Sequence, residues 1–418
     1  MSAASEGNEL RIDITYASIL RLALPISFAI LIPQLNFITN TIFLGHYSSQ
    51  AMAVAGITGV YYLIFGAIGY GLNNGMQALI SRRAGEDRPE EIGRIFRQGI
   101  LVSMFIAVAG ILFTYVLVPV VFPLFIKDGQ RLQQAVSFLS IRIWGLPFLY
   151  LYQMRNALLV GTNQSKFLVY GTIAETGTNV LLDYVLIFGK WGFPEMGFNG
   201  AAYASIIAEC VGLIVVLAIV HYKGIGKRFS LFDSFAWDGY NLKLLLTLSA
   251  PLVFQHAISI MSWEYFFLLI DRHGEKALAI SNTMRNVFGL FGCVTWALAS
   301  TTNAMVSNVI GQQKKRLVWL LIGRIIRLST GFSLIVALLL NLFPVAFLSL
   351  FGQSESFVED AIPTIRIVSI AMIMMSFSTV FLNTVIGSGN SRITLLIEAN
   401  TIIFYCIYIY PVSYTHLT

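Results

Sequence analysis

Gln50-Ala51-Met52-Ala53 returns 226 residues later as Lys276-Ala277-Leu278-Ala279, and the same interval separates Pro25 from Pro251, Ser81 from Ser307, Gly85 from Gly311 and Gly161 from Gly387. A further pair of strings, Gly93-Arg94-Ile95-Phe96-Arg97 and Gly323-Arg324-Ile325-Ile326-Arg327, repeats with a slip of four residues. Any Leu-, Ile- and Gly-rich chain aligns loosely with itself, but not at one interval for this set of Pro, Ser and Gly positions. The chain reads as an internal duplication.

Working outward from the repeat, 56% of residues are hydrophobic and 11% are charged, whereas soluble domains carry roughly 25% charge. There is too little polar surface to coat a water-soluble globule, so the chain belongs in a bilayer. Crossing a hydrocarbon core takes about 20 apolar residues. Such runs fall near 17–44, 52–80, 96–121, 134–160, 167–189, 198–221, 245–270, 278–308, 318–350, 361–386 and 394–411, all expected as helices. Met1 to Asp13 is polar and the next apolar run is too long for a signal h-region, so no cleaved leader is expected. Cys210, Cys293 and Cys406 all lie inside spans and read as small packing residues, with no disulfide and no metal site.

Basic residues set the expected orientation. With the N-terminus cytoplasmic, 18 of the 27 Lys and Arg fall on the cytoplasmic side. The other side holds Lys127, Arg131, Lys190, Arg272 and Lys276, while Arg142, Arg155, Arg285 and Arg366 lie within or at the edge of spans. The net charge of +6 then reflects topology, and no nucleic-acid partner is expected. The longest polar stretch, His221 to Asn241, includes Lys223, Lys227, Arg228, Phe229, Phe232, Phe235 and Trp237 and reads as a linker on the cytoplasmic membrane surface. Six spans precede it, an even number, so the second copy re-enters from the same side and the repeats are parallel, related by an axis along the membrane normal. The expected fold is an all-α membrane protein of two six-helix lobes, residues 1–222 and 244–418, joined by a linker at 223–243. Pairing the eleventh span with the fifth leaves the sixth without a counterpart, so the second lobe is expected to run to about five helices of a twelve-helix plan. The tail from Val412 to Thr418, His416 included, bears no clear relation to what precedes it and carries no functional reading.

Ionisable groups inside spans cost several kcal/mol unless they are paired or face water, which makes Glu175, Asp183, Glu209, Glu264 and Glu398 the first candidates. Glu175, Asn179 and Asp183 are spaced i, i+4, i+8 and share one face of the fifth span. Asp183 lies seven residues before Lys190, about 10 Å below the outer end. Asn40 lies five residues before Gly45 in the outer half of the first span, where it can meet Asp183. A buried carboxylate there suits a proton- or sodium-coupling site, or alternatively ties span five to span one. Glu175 and Glu209 read equally as cavity-lining acids and as partners for Arg142 and Arg155. Glu264 lies about 10 Å inside the outer end of span seven, with His256 two turns deeper on roughly the same face; lining a cavity and bonding between helices are both open to them. Glu398 with Asn400 can serve the second lobe or pair with Arg392. Gly66, Gly69, Gly71 and Gly75 read as packing or bending positions in span two. No P-loop, zinc-type His/Glu motif or Ser/His/Asp constellation is present, and no enzyme activity is expected.

These residues resemble the multidrug and toxic compound extrusion (MATE) family over essentially the whole chain. The resemblance rests on Leu22-Ala23-Leu24-Pro25, on Gly71-Leu72-Asn73-Asn74-Gly75 with Leu79-Ile80-Ser81 and Gly85, and on Ile141-Arg142-Ile143 with Gly145-Leu146-Pro147. Its most specific part runs from Asn179-Val180-Leu181-Leu182-Asp183 through Ile187-Phe188-Gly189, Pro194 and Gly197 to Gly200-Ala201-Ala202-Tyr203-Ala204-Ser205. Second-copy echoes are Ala250-Pro251, Val306-Ser307-Asn308 with Gly311, and Asn282, where family members often carry Gln or Asn.

The resemblance implies two helical bundles, alternating access, and export of organic, often cationic, compounds in exchange for protons or sodium. It also implies a first-lobe cation site at Asn40, Asn179, Asp183 and Ser205, with Asn40 standing where many members carry an aspartate. Sodium at Asp183 and Asn179 is the one metal ion expected, with no cofactor beyond the coupling ion. Glu175, Glu209, His256, Glu264 and Asn282 are the substrate-cavity candidates. A monomer in the bacterial inner membrane, acting on small organic substrates, is the expected form. The alternative is a flippase for a lipid-linked saccharide or related lipid, whose pyrophosphate head calls for several cations in the cavity; only four basic residues lie in or at the edge of these spans.

Overall fold

The structure is a computed structural model that describes residues 10–233, 237–271, 274–349 and 355–415. Arg272 of the outer-side basic residues, Phe235 of the linker and His416 of the tail lie outside the described residues.

Eleven long helices answer to the eleven apolar runs: α1 Tyr16–Tyr47, α2 Ser49–Gly85, α3 Pro89–Phe125, α4 Gly129–Gly161, α5 Leu168–Phe188, α6 Phe198–Tyr222, α7 Gly239–Asp271, α8 Glu275–Gly311, α9 Val318–Leu342, α10 Glu355–Ser388 and α11 Ser391–Thr415. Among the described residues there is no strand. Among the described residues, nine of the eleven are long and apolar enough to cross a membrane by length and composition; α5 and α8 are not. The shortfall in α5 comes from the stripe Glu175, Asn179, Asp183. The C-terminal ends of α4 and α6 bury Met154, Ala157, Leu158, Leu159 and Val160, and Val216 and Val220, in one common cluster, so α5, which joins α4 to α6, must cross as well. The ninth run stops earlier than its hydrophobicity suggests: the helix ends at Leu342 and resumes as a short helix, Pro344–Ser349. Proline disfavours the helical region for the residue before it, and Phe343 sits at φ −128°.

Packing repeats with the sequence. In the first copy α1 packs on α5, α2 on α4 and α3 on α4; in the second, α7 packs on α11, α8 on α10 and α9 on α10. The copies meet through α2 with α8, and reciprocally through α1 with α8 and α7 with α2. Glycines repeat their environments too. A Cβ at Gly161 would press on Ile80 Cβ at 3.0 Å and Gln77 O at 3.4 Å, and one at Gly387 on Val306 Cβ at 3.2 Å and Asn303 O at 2.7 Å; each obstacle in the second copy lies 226 residues from its counterpart in the first.

The hydrophobic core decides the shape. At the end of the molecule that carries Arg82, Arg83, Lys314 and Lys315, here the basic end, one buried cluster takes residues from both copies, from Ile19, Met76 and Ile80 to Ala304, Val306 and Ile325. At the opposite end the buried clusters among the described residues each belong to one copy: first-copy residues such as Phe65, Leu139 and Tyr150 build one, Val185, Leu186 and Ala204 a small one, and second-copy residues such as Met284, Val287 and Ile365 another. The lobes are fused at the basic end and separate at the other.

Side chains from α8 stitch the fused end to α2. Ser307 Oγ donates to Ala78 O at 2.6 Å, Asn303 Nδ2 to Asn74 O at 3.0 Å and Asn308 Nδ2 to Ser81 O at 3.2 Å, while Gln77 Nε2 donates to Ser300 O at 2.9 Å. Residues 10–15, ahead of α1, form a strap across this junction. Ile12 N donates to Asn308 Oδ1 at 3.1 Å, Asn308 Nδ2 to Leu10 O at 2.9 Å and Gln312 Nε2 to Ile12 O at 3.1 Å. Arg324 donates to Ile14 O, and Asn163 Nδ2 from the α4–α5 loop to Leu10 O at 3.2 Å.

Candidate functional site

Helix α5 brings its polar stripe against α1 and α6. The approach to α6 is set by small residues at both ends. Gly200 lets the α6 backbone reach Leu186, where a Cβ would be 2.7 Å from the carbonyl carbon, and Gly171 and Gly212 face each other farther along, each Cβ position within 3.2 Å of the other's carbonyl oxygen.

Of the four residues expected to form a cation site, three are joined by hydrogen bonds. Asn40 Nδ2 donates to Asn179 Oδ1 at 3.3 Å, and Asn179 Nδ2 donates to Ser205 Oγ at 3.4 Å. A residue missed by sequence reasoning completes the set: Asn36 Nδ2 donates to the same Asn179 Oδ1 at 2.6 Å. Its signal was present, because Asn36 and Asn40 are an i, i+4 pair on an apolar helix, the same pattern that singled out α5. Asp183 sits one turn beyond Asn179, is 0% exposed, and neither of its carboxylate oxygens has a hydrogen-bond partner among the described residues. Asn36 Oδ1 and Asn40 Oδ1 are likewise buried without a donor. Buried polar atoms are normally satisfied. A carboxylate and amide oxygens left with acceptor capacity are what a proton on Asp183, or an oxygen-seeking cation, satisfies.

Glu175 and Glu209 belong to a second polar cluster in the same lobe. The Arg142 guanidinium pairs with both Glu209 oxygens, Nη1 to Oε2 at 3.2 Å and Nη2 to Oε1, and stands 4.0 Å from the centroid of the Tyr62 ring. A Cβ at Gly145 would fall 2.8 Å from Glu209 Oε2, so this glycine makes room for the pair. Glu209 is thus committed to Arg142 and only 9% exposed, rather than lining open space. Arg155, equally buried, spans Gly212 O at 3.4 Å, Asn156 Oδ1 at 3.1 Å and the Tyr152 ring at 4.0 Å. Glu175 Oε2 is buried without a hydrogen-bond partner.

The remaining candidates are not brought to this site. His256 Nε2 lies 3.1 Å from Asn74 Nδ2, a contact between lobes, with Tyr70 6.0 Å away between ring centroids. Glu398 accepts from Ser259 Oγ and not from Arg392. Glu264 and Asn282 are half-buried and form no side-chain hydrogen bond among the described residues. Among those residues no group of three or more His, Cys, Asp or Glu is placed to hold a metal ion.

Fold and site together define a polytopic, all-helical membrane protein of two parallel lobes fused at one end, with an acceptor-rich polar site buried inside one lobe. The MatE family profile matches residues 25–185 and again residues 251–411, two segments offset by the same 226 residues. The chain belongs to the MatE family. It is 22% identical over 388 residues to the probable multidrug resistance protein NorM of Thermotoga maritima, covering 91% of this chain and 81% of that protein. It is 28% identical over 218 residues to the protein of the same name from Synechocystis, where the alignment spans 51% of this chain and 46% of that one. Among solved structures, its fold superposes with a TM-score of 0.83 on a multidrug resistance MATE family transporter of the MOP superfamily in an outward-facing conformation, at 19% identity, covering 94% of this chain and 86% of that one. A MOP superfamily transporter from Pyrococcus furiosus gives 0.83 at 18% identity, covering 95% and 88%.

Proposed function

We propose that this chain is a secondary active antiporter that exports organic, often cationic, compounds in exchange for protons or sodium by alternating access. The observation that carries the reading is Asp183: a fully buried carboxylate with no hydrogen-bond partner among the described residues, one turn from an amide that gathers Asn36, Asn40 and Ser205. Leaving such a group charged and unpaired is costly, so it is protonated or cation-bound for part of the cycle. Ion release and substrate release can be linked only through a group that changes charge. The multidrug resistance named for the Thermotoga and Synechocystis relatives supports the substrate class.

In this reading the basic end faces the cytoplasm of a bacterial inner membrane, consistent with the excess of Lys and Arg there. Residues 1–222 and 244–418 are the two rocking lobes, and 223–243 is the linker between them. Separate hydrophobic clusters at the opposite end then correspond to a path open to the outside. Asn40, Asn179, Asp183 and Ser205 form the coupling site, joined by Asn36. Glu264, His256 and Asn282 are assigned to the substrate path, and Glu175 and Glu209 to the polar interior of lobe one beside the coupling site. The chain acts as a monomer.

The test is Asp183→Asn, studied on one preparation by melting temperature in detergent, substrate binding, and transport in everted vesicles with and without sodium. The expected result is loss of ion-driven efflux with melting and binding retained. A stable variant with wild-type ion-dependent transport would remove Asp183 from the mechanism.

A further inference from the structure

At the basic end of lobe one, the strap, the α4–α5 loop and the end of α6 enclose a concavity of about 500 Å³. Its charged lining is Arg11, Arg21, Lys166, Lys223 and Arg228 against Asp13 alone. Elsewhere at this end, two cations beside the α2–α3 turn are neutralised locally. Arg83 pairs with Glu86 at 2.6 Å and with Glu91 at 2.8 Å, and Arg88 pairs with Glu91 at 3.1 Å. Among the described residues Arg11, Arg21, Lys166 and Lys223 form no ion pair. Orientation in the membrane calls for positive charge at one end, but it does not call for unpaired cations from three chain segments to line one hollow.

Its surroundings place the hollow at the height of lipid headgroups. The Lys166 ammonium lies 5.1 Å from the Phe167 ring centroid and that of Lys223 5.5 Å from Tyr222, which is 84% exposed; aromatic side chains of this kind collect at the membrane interface. Toward the bilayer, Leu20, Leu24 and Phe28 stand exposed at four-residue spacing on α1, and Tyr170 and Ile173 on α5. We propose that this hollow binds the phosphate of an anionic phospholipid headgroup, with the acyl chains against the exposed faces of α1 and α5. A free phosphate ion would use the cations but not these apolar flanks. Arg11 belongs to the strap, so an occupied site also holds the strap against the junction of the lobes.

The experiment titrates phosphatidylglycerol, phosphatidylcholine and inorganic phosphate separately into the purified full chain in detergent, following bound lipid and melting temperature. Wild type is expected to bind and be stabilised by phosphatidylglycerol alone. At about 1 kcal/mol per basic residue near an anionic surface, the triple change Arg21→Gln, Lys166→Gln, Lys223→Gln should weaken that binding roughly a hundredfold. The same number of charges removed at Lys314, Lys315 and Arg316 should leave it within a fewfold of wild type. If the triple variant melts early without lipid, Lys166→Gln alone is expected to lose about fivefold and Lys166→Arg to restore it. Equal losses in the two triple variants, equal binding of phosphatidylcholine, or full stabilisation by inorganic phosphate would each overturn the assignment.

Discussion

Alanine at Gly85 or Gly311 should pry the lobes apart at the basic end. A Cβ at Gly85 would sit 2.9 Å from the carbonyl carbon of Asn308, with the carbonyl oxygen nearer still, and one at Gly311 would meet the Arg82 carbonyl oxygen and lie 3.2 Å from Gly85 Cα. Carbon atoms in contact prefer about 3.5–4.0 Å, so α2 and α8 must separate by roughly 1 Å. The obstacle is backbone, and no rotamer change relieves it. The same movement stretches Ser307 to Ala78 from 2.6 Å, Gln77 to Ser300 from 2.9 Å, Asn303 to Asn74 from 3.0 Å and Asn308 to Ser81 from 3.2 Å, most of them beyond hydrogen-bonding range. At about 0.5–1.5 kcal/mol net each, losing three or four costs roughly 2–5 kcal/mol. A cost of that size shifts a two-state ratio by about thirty-fold or more. Spin labels at Glu90 and Lys315, in a background without Cys210, Cys293 and Cys406, would report the separation of the basic ends by pulsed dipolar spectroscopy. The expected distribution in Gly85→Ala and Gly311→Ala moves to longer distance. An unchanged distribution together with an unchanged melting temperature would show that this contact does not hold the ends together.

Three other outcomes follow from the same geometry. Asn40→Asp, which puts a second carboxylate beside the Asn179 amide, should raise cation affinity or shift the pH optimum of exchange; if a folded variant changes neither, α1 takes no part in coupling. Glu209→Gln leaves Arg142 buried without its counter-charge and should cost about 3–5 kcal/mol, read as a lower melting temperature, whereas Arg142→Met with Glu209→Leu should recover most of it. Asn308→Ala removes the bonds to Ile12 N, Leu10 O and Ser81 O and should accelerate amide exchange at Ile12 while leaving α5 protected; unchanged exchange at Ile12 would mean the strap is held by its other contacts alone.

What could be read from the chain were the features that live on one helix. The stripe Glu175, Asn179, Asp183 was legible because residues i, i+4 and i+8 share a face, and the eleven helices were legible because the bilayer sets their length. Partners were not, because packing supplies them across long stretches of sequence: Asn36 and Asn40 reach Asn179 from 143 and 139 residues away. Composition left Glu209 balanced between cavity and pairing, and only the fold brought Arg142, 67 residues off, onto its carboxylate. The strap gave least warning of all. Residues 10–15 look like a polar lead-in, yet their backbone groups are bonded to Asn308 and Gln312, about 300 residues later.

The duplication connects the legible part to the hidden part. Two parallel copies related by an axis between them meet through the same helix of each, so a residue of α2 near that axis faces its own counterpart on α8. Gly85 and Gly311 are such a pair, with the Cβ position of Gly311 3.2 Å from Gly85 Cα, and the junction admits no side chain there. Ser307 and Asn308 then bond to α2 carbonyls, while Arg82 reaches Ser307 Oγ at 3.3 Å and Gly387 O at 3.0 Å. Ser81 occupies the position of Ser307 in the first copy, yet its hydroxyl is buried without a partner. The repeat therefore fixes the close approach of the backbones symmetrically, and it repeats one pair of polar locks, Gln77 to Ser300 O answering Asn303 to Asn74 O at the same interval. The bond of Ser307 has no answer from Ser81, so removing Ser307 should loosen the closure and removing Ser81 should not.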